Sequence, residues 1–169
     1  NKNKHDHLAT NHDWRDLIET FGMGVACAFR DAAMAYWRIY RPEDQSSTSI
    51  PFNLIFGLLG LEFEYKENPN FPHYLQSDEV QHALLYLTKE MNGFPGWLEK
   101  MYQTYPERVV NALWKELEQE LSNNYQPNQM YPLLHDVVYQ APWSHIELAP
   151  TLYKWLEGNE PKSNQSLRS

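Results

Sequence analysis

The sequence predicts an all-α fold of HEAT-like antiparallel helix pairs, a short α-solenoid of about seven helices with no β-sheet. A segment at 94–106 contains an aromatic residue and proline, an apolar run, a Tyr residue and a closing proline, and this plan recurs about 37 positions later at 131–142. Helix pairs that recur every 33–47 residues, roughly, are typical of α-solenoids. Apolar residues recur elsewhere in steps of three and four, and no alternating run bounded by hairpin turns predicts a strand.

The first half of the chain predicts a polar tail and two helices. Residues 1–11 are polar, and Asn11 is suited to cap a helix over 12–40 in which Gly22 and Gly24 predict a packing need or a kink. Residues 51–66 are apolar almost all round, which predicts the central core helix. The apolar stripe of the first helix, predicted to be buried, is Trp14, Leu17, Ile18, Phe21, Val25, Ala28, Ala32, Tyr36 and Ile39.

Five further helices are predicted in the second half, and together with the first two they make one domain over 12–157. Prolines open several of them, because proline suits the first helical turn and disfavours helix in the preceding residue. Pro150 predicts a kink or a split in the last helix, whose inward residues are predicted to be Ile146, Ala149, Leu152, Tyr153 and Leu156. The five predicted helices span 77–91, 95–104, 106–122, 130–140 and 143–157, and a polar tail follows at 158–169.

Composition excludes several classes of function. Hydrophobic residues make up 42% of the 169 residues, too many for a disordered chain. The net charge is −8 and no basic run is present, which argues against a nucleic-acid partner. No apolar run reaches the roughly 18 residues of a membrane span. The single Cys27 excludes an internal disulfide and fits a reducing, cytoplasmic compartment.

No motif predicts a catalytic residue, a cofactor or a metal. His5, His7 and His12 cluster near the N-terminus, but in a predicted tail that offers no fixed frame for a metal ion. Glu62 and Glu64 are two residues apart, so on a helix they point in different directions and cannot share a ligand. The sequence also has no Gly-rich phosphate loop and no nucleotide fingerprint.

Aromatic side chains carry the remaining functional signal. Tyr and Trp give a large contact area at low entropic cost and concentrate in binding hot spots. Solenoids present extended surfaces of this kind to protein partners or to neighbouring domains of the same polypeptide. The predicted interaction surface consists of Trp37, Tyr40, Tyr74, Tyr102, Tyr105 and Tyr139.

Three segments, 29–42, 58–62 and 83–98, resemble the helical-repeat regions of very large bacterial NTPases of the NACHT type. The resemblance covers roughly residues 12–157 and rests on packing residues. It implies a sensor or scaffold region of a larger bacterial protein, of the kind used in anti-phage defence. The chain has no NTPase motif, so no nucleotide-binding residue carries over.

An alternative function comes from a different class of protein. A small all-α enzyme or ligand-binding bundle would line one pocket with Trp37, Tyr86, Trp97 and His82. Such a bundle predicts a compact cavity where a histidine and a carboxylate converge, whereas a solenoid predicts helix pairs in line and exposed apolar ends.

Overall fold

The computed structural model describes residues 7–42, 50–122 and 132–159, and within these ranges it contains helices and no strand. The all-α prediction is therefore confirmed. Short 3₁₀ turns at Trp14–Leu17, Leu84–Tyr86 and Pro142–Ser144 accompany the α-helices. The α-helices are α1 (Ile18–Phe21), α2 (Met23–Tyr36), α3 (Phe52–Glu67), α4 (Ser77–Ala83), α5 (Leu98–Thr104), α6 (Pro106–Ser122), α7 (Pro132–Gln140) and α8 (His145–Gly158).

The predicted first helix is broken at one of the glycines that predicted a kink. Gly22 adopts φ 81°, a left-handed conformation that ends α1 and precedes α2. The chain upstream of α1 is a 3₁₀ turn capped by the side chain of Asp13, which accepts a hydrogen bond from the backbone N–H of Arg15 at 2.9 Å. The cap predicted at Asn11 is therefore wrong, and the helical segment starts later than residue 12.

Helix α3 is the centre of the core, as its all-round apolar sequence predicts. Its residues 57–64 are all buried. Gly60 lies so close to α2 that a Cβ added there would overlap the carbonyl oxygen of Ala33. Small residues at this crossing therefore let the two helices approach at backbone distance.

Prolines mark the boundaries in the second half. Helix α6 begins at Pro106 and α7 at Pro132, and Pro142 opens the 3₁₀ turn before α8. Pro150 lies inside α8, which continues to Gly158, so the predicted split does not occur. Helix α5 packs on α6, and α6 also contacts α7 and α8. No described helix is long and apolar enough to cross a membrane.

The apolar stripes predicted to face inward on the outer helices α2 and α8 are mostly exposed. Phe21 of α1, Val25, Ala28 and Ala32 of α2, and Ile39 in the chain that follows α2 are exposed. On α8 the residues Ile146, Tyr153 and Leu156 are exposed, and Leu148 is buried instead. The predicted burial of these stripes is wrong because each helix has two apolar faces and only one of them packs within the described chain.

The described part of the predicted N-terminal tail is fixed to the domain. The carboxylate of the buried Glu90 accepts hydrogen bonds from the backbone N–H groups of Leu8, Ala9 and Thr10. Ala9 is itself buried. Lys66 donates to the carbonyl oxygen of Thr10 at 2.9 Å, so main-chain contacts attach this segment to α3 as well.

Candidate functional site

The six predicted surface aromatics do not form one surface. Trp37 is completely buried, and its indole N–H donates to Glu64, so it belongs to the core. Tyr40 is half-buried and stacks on Tyr36 with 5.5 Å between ring centroids. Tyr74 is half-buried and donates to Glu64 at 2.6 Å.

The other three predicted aromatics have separate neighbours in the second half of the chain. Tyr102 lies against Trp143 and donates to a carboxylate oxygen of α8 at 2.8 Å. The ring of Tyr105 lies beneath the guanidinium of Arg108. Tyr139 is 72% exposed, which makes it the most accessible of the predicted set. The structure therefore supports exposure at Tyr139 and burial at Trp37.

A buried carboxylate organises the polar interior near the end of α2. The side chain of Glu64 is 4% exposed, and both of its oxygens accept hydrogen bonds from the guanidinium of Arg38, at 2.5 and 2.6 Å. The indole of Trp37 and the hydroxyl of Tyr74 donate to the same carboxylate. Arg38 also pairs with Glu79 of α4 at 2.5 Å, which connects α2, α3 and α4.

The electrostatics of this network follow from its geometry. Burial alone would raise the pKa of Glu64, but the hydrogen bonds from Arg38, Tyr74 and Trp37 lower it below its ordinary value. Burial and the hydrogen bond to Glu64 raise the pKa of Tyr74. The cluster is thus a satisfied structural ion pair, and its groups are occupied with one another.

The pocket of the alternative function is assembled only in part. The ring of His82 lies 6.1 Å from Trp37 and 6.1 Å from Tyr86, measured between centroids. The ring N–H of His82 and the hydroxyl of Tyr86 donate to the carbonyl oxygen of Tyr40, at 2.8 and 2.7 Å. Both donors therefore converge on a single carbonyl group in the chain that follows α2. Trp97 is buried, and its indole nitrogen has no hydrogen-bond partner among the described residues.

A groove of about 670 Å³ lies between α4 with its following 3₁₀ turn and helix α6. Arg108 and Lys115 line it from α6, Arg41 lines it from the chain after α2, and His82 lines it from α4. The groove also contains Lys89, the carboxylates Asp78 and Glu116, and several leucines of the 84–87 segment.

The predicted interaction surface contains none of the residues that line this groove, although Arg108, Asn111 and Lys115 lie in the predicted helix 106–122. Arg108 and Asn111 are three residues apart, Asn111 and Lys115 are four apart, and this spacing places all three on one side of a helix. The spacing could not show that a second helical segment stands opposite. The groove depends on residues that come from three separate parts of the chain.

Two of the three N-terminal histidines, His7 and His12, lie among the described residues. His5 lies outside the described residues and His12 is exposed. His7 has a buried ring nitrogen that has no hydrogen-bond partner among the residues that the structure describes. Within the described ranges, no group of three His, Cys, Asp or Glu side chains is arranged to hold a metal ion.

Known proteins do not identify the chain: no family model matches it, and no curated protein or solved structure matches it either.

Proposed function

We propose that the chain is a stretch of HEAT-like helix pairs within a larger helical-repeat scaffold that recognises other proteins. One observation carries this proposal: the outer helices α2 and α8 each bury one apolar face and expose a second one. Val25 of α2 is 56% exposed, Ile39 just after α2 is 76% exposed, and Ile146 of α8 is 84% exposed. Helix pairs in a solenoid bury such faces against their neighbours in line.

The N-terminal face consists of Phe21, Val25, Ala28, Ala32, Ala35 and Ile39, and the C-terminal face consists of Ile146, Ala149, Tyr153 and Leu156. The two faces differ in side-chain size, since alanines fill the middle of the first and larger residues dominate the second. Small residues let another helix approach closely, and large residues can pack between them.

The arrangement of the helices supports covering by further helix pairs. Helix α2 makes its main contacts with α3 and the 14–21 segment, whereas α8 packs on α6 and the preceding 3₁₀ turn. The two faces therefore belong to different parts of the domain. Contiguous exposed apolar surfaces mark interaction sites in most proteins. A head-to-tail stack, with the C-terminal face of one unit on the N-terminal face of the next, would cover both.

Sedimentation velocity of the isolated chain tests the stacking. We expect association that increases with protein concentration, because each molecule offers both faces. Val25→Glu and Ile146→Glu should each give a monomer, while an equimolar mixture of the two variants should give a dimer through the intact face of each. Gln103→Glu, at an exposed position on α5, is the control with the same change in charge.

Two results would contradict the stacking proposal. One is a wild-type chain that stays monomeric across the concentration series. The other is association that persists in both variants, which would place the contact elsewhere.

The wider setting is also part of the proposal. The single free Cys27 supports a reducing, cytoplasmic compartment. A sensor role beside a bacterial NACHT-type NTPase remains a prediction from the resemblance of the packing segments.

A further inference from the structure

We propose that the groove between α4 and α6 binds an acidic peptide segment of a partner protein in an extended, polyproline II conformation. This inference rests on the proposed recognition role and gives it a ligand chemistry. Three properties of the groove carry it: the sign of its charge, the spacing of its cations and the character of its floor.

The charge of the groove is opposite to that of the chain. Its lining contains four cationic side chains and two carboxylates, with one histidine. The lining therefore carries +2 with neutral histidine, whereas the whole chain carries −8. The surface outside the groove is acidic and repels a long polyanion that leaves the groove. A short segment with two or three carboxylates meets only the favourable part of this field.

Two of the cations are placed for a specific spacing of carboxylates. Arg108 and Lys115 lie two helical turns apart on α6, about 10 Å along the helix axis. In a polyproline II segment, residues i and i+3 lie on the same side and about 9 Å apart. Two acidic residues three positions apart therefore match Arg108 and Lys115. Arg41 faces the ligand from another part of the lining.

The cations differ in how firmly they are held. The guanidinium of Arg108 donates to the carbonyl oxygen and the hydroxyl of Ser77, at 3.1 and 2.9 Å, which fixes its position. Among the described residues, Arg41 and Lys115 make no ion pair with a carboxylate. Within the described ranges, binding of a ligand therefore breaks no existing ion pair at either residue.

The floor of the groove suits a peptide better than a bare anion. Leu84 and Leu87 are buried beneath it, and Leu85 is 38% exposed at its surface. The side-chain amides of Gln81 and Asn111 also line it, and amides can both donate to and accept from a peptide backbone. An apolar side chain between the two acidic residues would cover Leu85.

Fluorescence anisotropy with labelled peptides tests the proposal. The first peptide, Pro-Asp-Pro-Leu-Glu-Pro, places carboxylates at i and i+3 around a leucine. The second has the same composition with the two acidic residues adjacent. The third ligand is a single-stranded RNA oligonucleotide of similar length, and inorganic phosphate serves as a competitor. We expect the first peptide to bind most tightly and its affinity to fall as the salt concentration rises.

Variants of the free cations provide the second arm. The double variant Arg41→Gln/Lys115→Gln should bind the first peptide about tenfold more weakly, as expected for the loss of two partly exposed ion pairs. Lys154→Gln removes an exposed charge on α8 and should leave binding unchanged. The proposal is overturned if the double variant binds like the wild type, if the two peptides bind equally, or if the RNA or phosphate binds more tightly.

The peptide test and the stacking test are independent readouts. Sedimentation of the double variant shows whether head-to-tail association persists, because Arg41 and Lys115 lie outside the N-terminal and C-terminal faces. Lost peptide binding with intact association assigns the groove its role. Failure of all peptides to bind, with intact association, refutes the groove alone and leaves the stacking proposal standing.

Discussion

Replacing Arg38 with glutamine would leave the carboxylate of Glu64 buried without its cation. The guanidinium donates to both oxygens of Glu64, and the side chain of Glu64 is only 4% exposed. Removing one partner of a buried ion pair costs about 3–5 kcal/mol. We expect a loss near the lower limit, about 3 kcal/mol, because Arg38 is 30% exposed and Glu64 keeps its bonds from Trp37 and Tyr74.

The size of this loss should depend on pH. A carboxyl group whose pKa is lowered by folding stabilises the folded state above the unfolded-state pKa of about 4.3, and this contribution is lost as the pH falls through the folded-state pKa. Glu64 is such a group in the wild type. Without Arg38, burial dominates and the pKa of Glu64 rises, so the variant loses stability above about pH 4.3.

Urea unfolding followed by circular dichroism, at about pH 7 and about pH 4, measures the effect. The difference between the wild type and Arg38→Gln should be largest at the higher pH and smaller at the lower. Glu64→Gln and the double variant complete a thermodynamic cycle, in which we expect a coupling free energy of about 1 kcal/mol or more. A deficit that does not change with pH, or a deficit below about 1 kcal/mol, would refute the buried-pair explanation.

Three further predictions concern packing and burial. Gly60→Ala should lower the free energy of unfolding by about 3 kcal/mol, because the added methyl group meets the backbone of α2. Gly24→Ala has open space around it and should raise the free energy of unfolding by about 0.5 kcal/mol, so equal shifts in Tm for the two variants would contradict this reasoning. Burial raises the pKa of Glu62, so folding favours its neutral form and the wild type loses stability as the pH rises through that pKa. In urea unfolding, Glu62→Gln should therefore raise the free energy of unfolding by on the order of 1 kcal/mol at about pH 8 and by little at about pH 4. An increase that does not depend on pH would exclude charge burial as its cause. Leu58→Asp should lower the free energy of unfolding by more than about 4 kcal/mol and Leu85→Asp by less than about 1 kcal/mol, because only Leu58 is fully buried. Similar unfolding midpoints for the two variants would be inconsistent with the described core.

The parts of the fold that local chemistry determines were predictable from the sequence. The all-round apolar composition of α3 predicts a central helix, and its residues 57–64 are all buried. Proline at the first turn predicts the start of α6, and Gly22 breaks the first helical segment. Each of these features depends on residues that are neighbours in the chain.

The parts that depend on distant residues were not predictable. Periodicity identified apolar stripes on α2 and α8, but it could not tell whether the partner of a stripe lies within this chain. The carboxylate of Glu64 finds Arg38, 26 residues away, and no local pattern marks that pair. The groove likewise depends on α4 and α6 lying side by side, which the spacing of Arg108 and Lys115 along α6 does not show.

The hydrogen bonds that attach the N-terminal segment to Glu90 limit which residues the sequence can have there. Its carboxylate contacts three successive backbone N–H groups, at residues 8–10, and those groups are present whatever the side chain. Residue 8 can therefore be exchanged for many others without loss of its bond, whereas the side-chain hydroxyl of Thr10 also donates to Glu90, at 3.1 Å. Proline is excluded at all three positions, because it has no N–H to donate. The attachment therefore constrains the sequence to an acidic residue at 90, a hydroxyl side chain at 10 and no proline at residues 8–10.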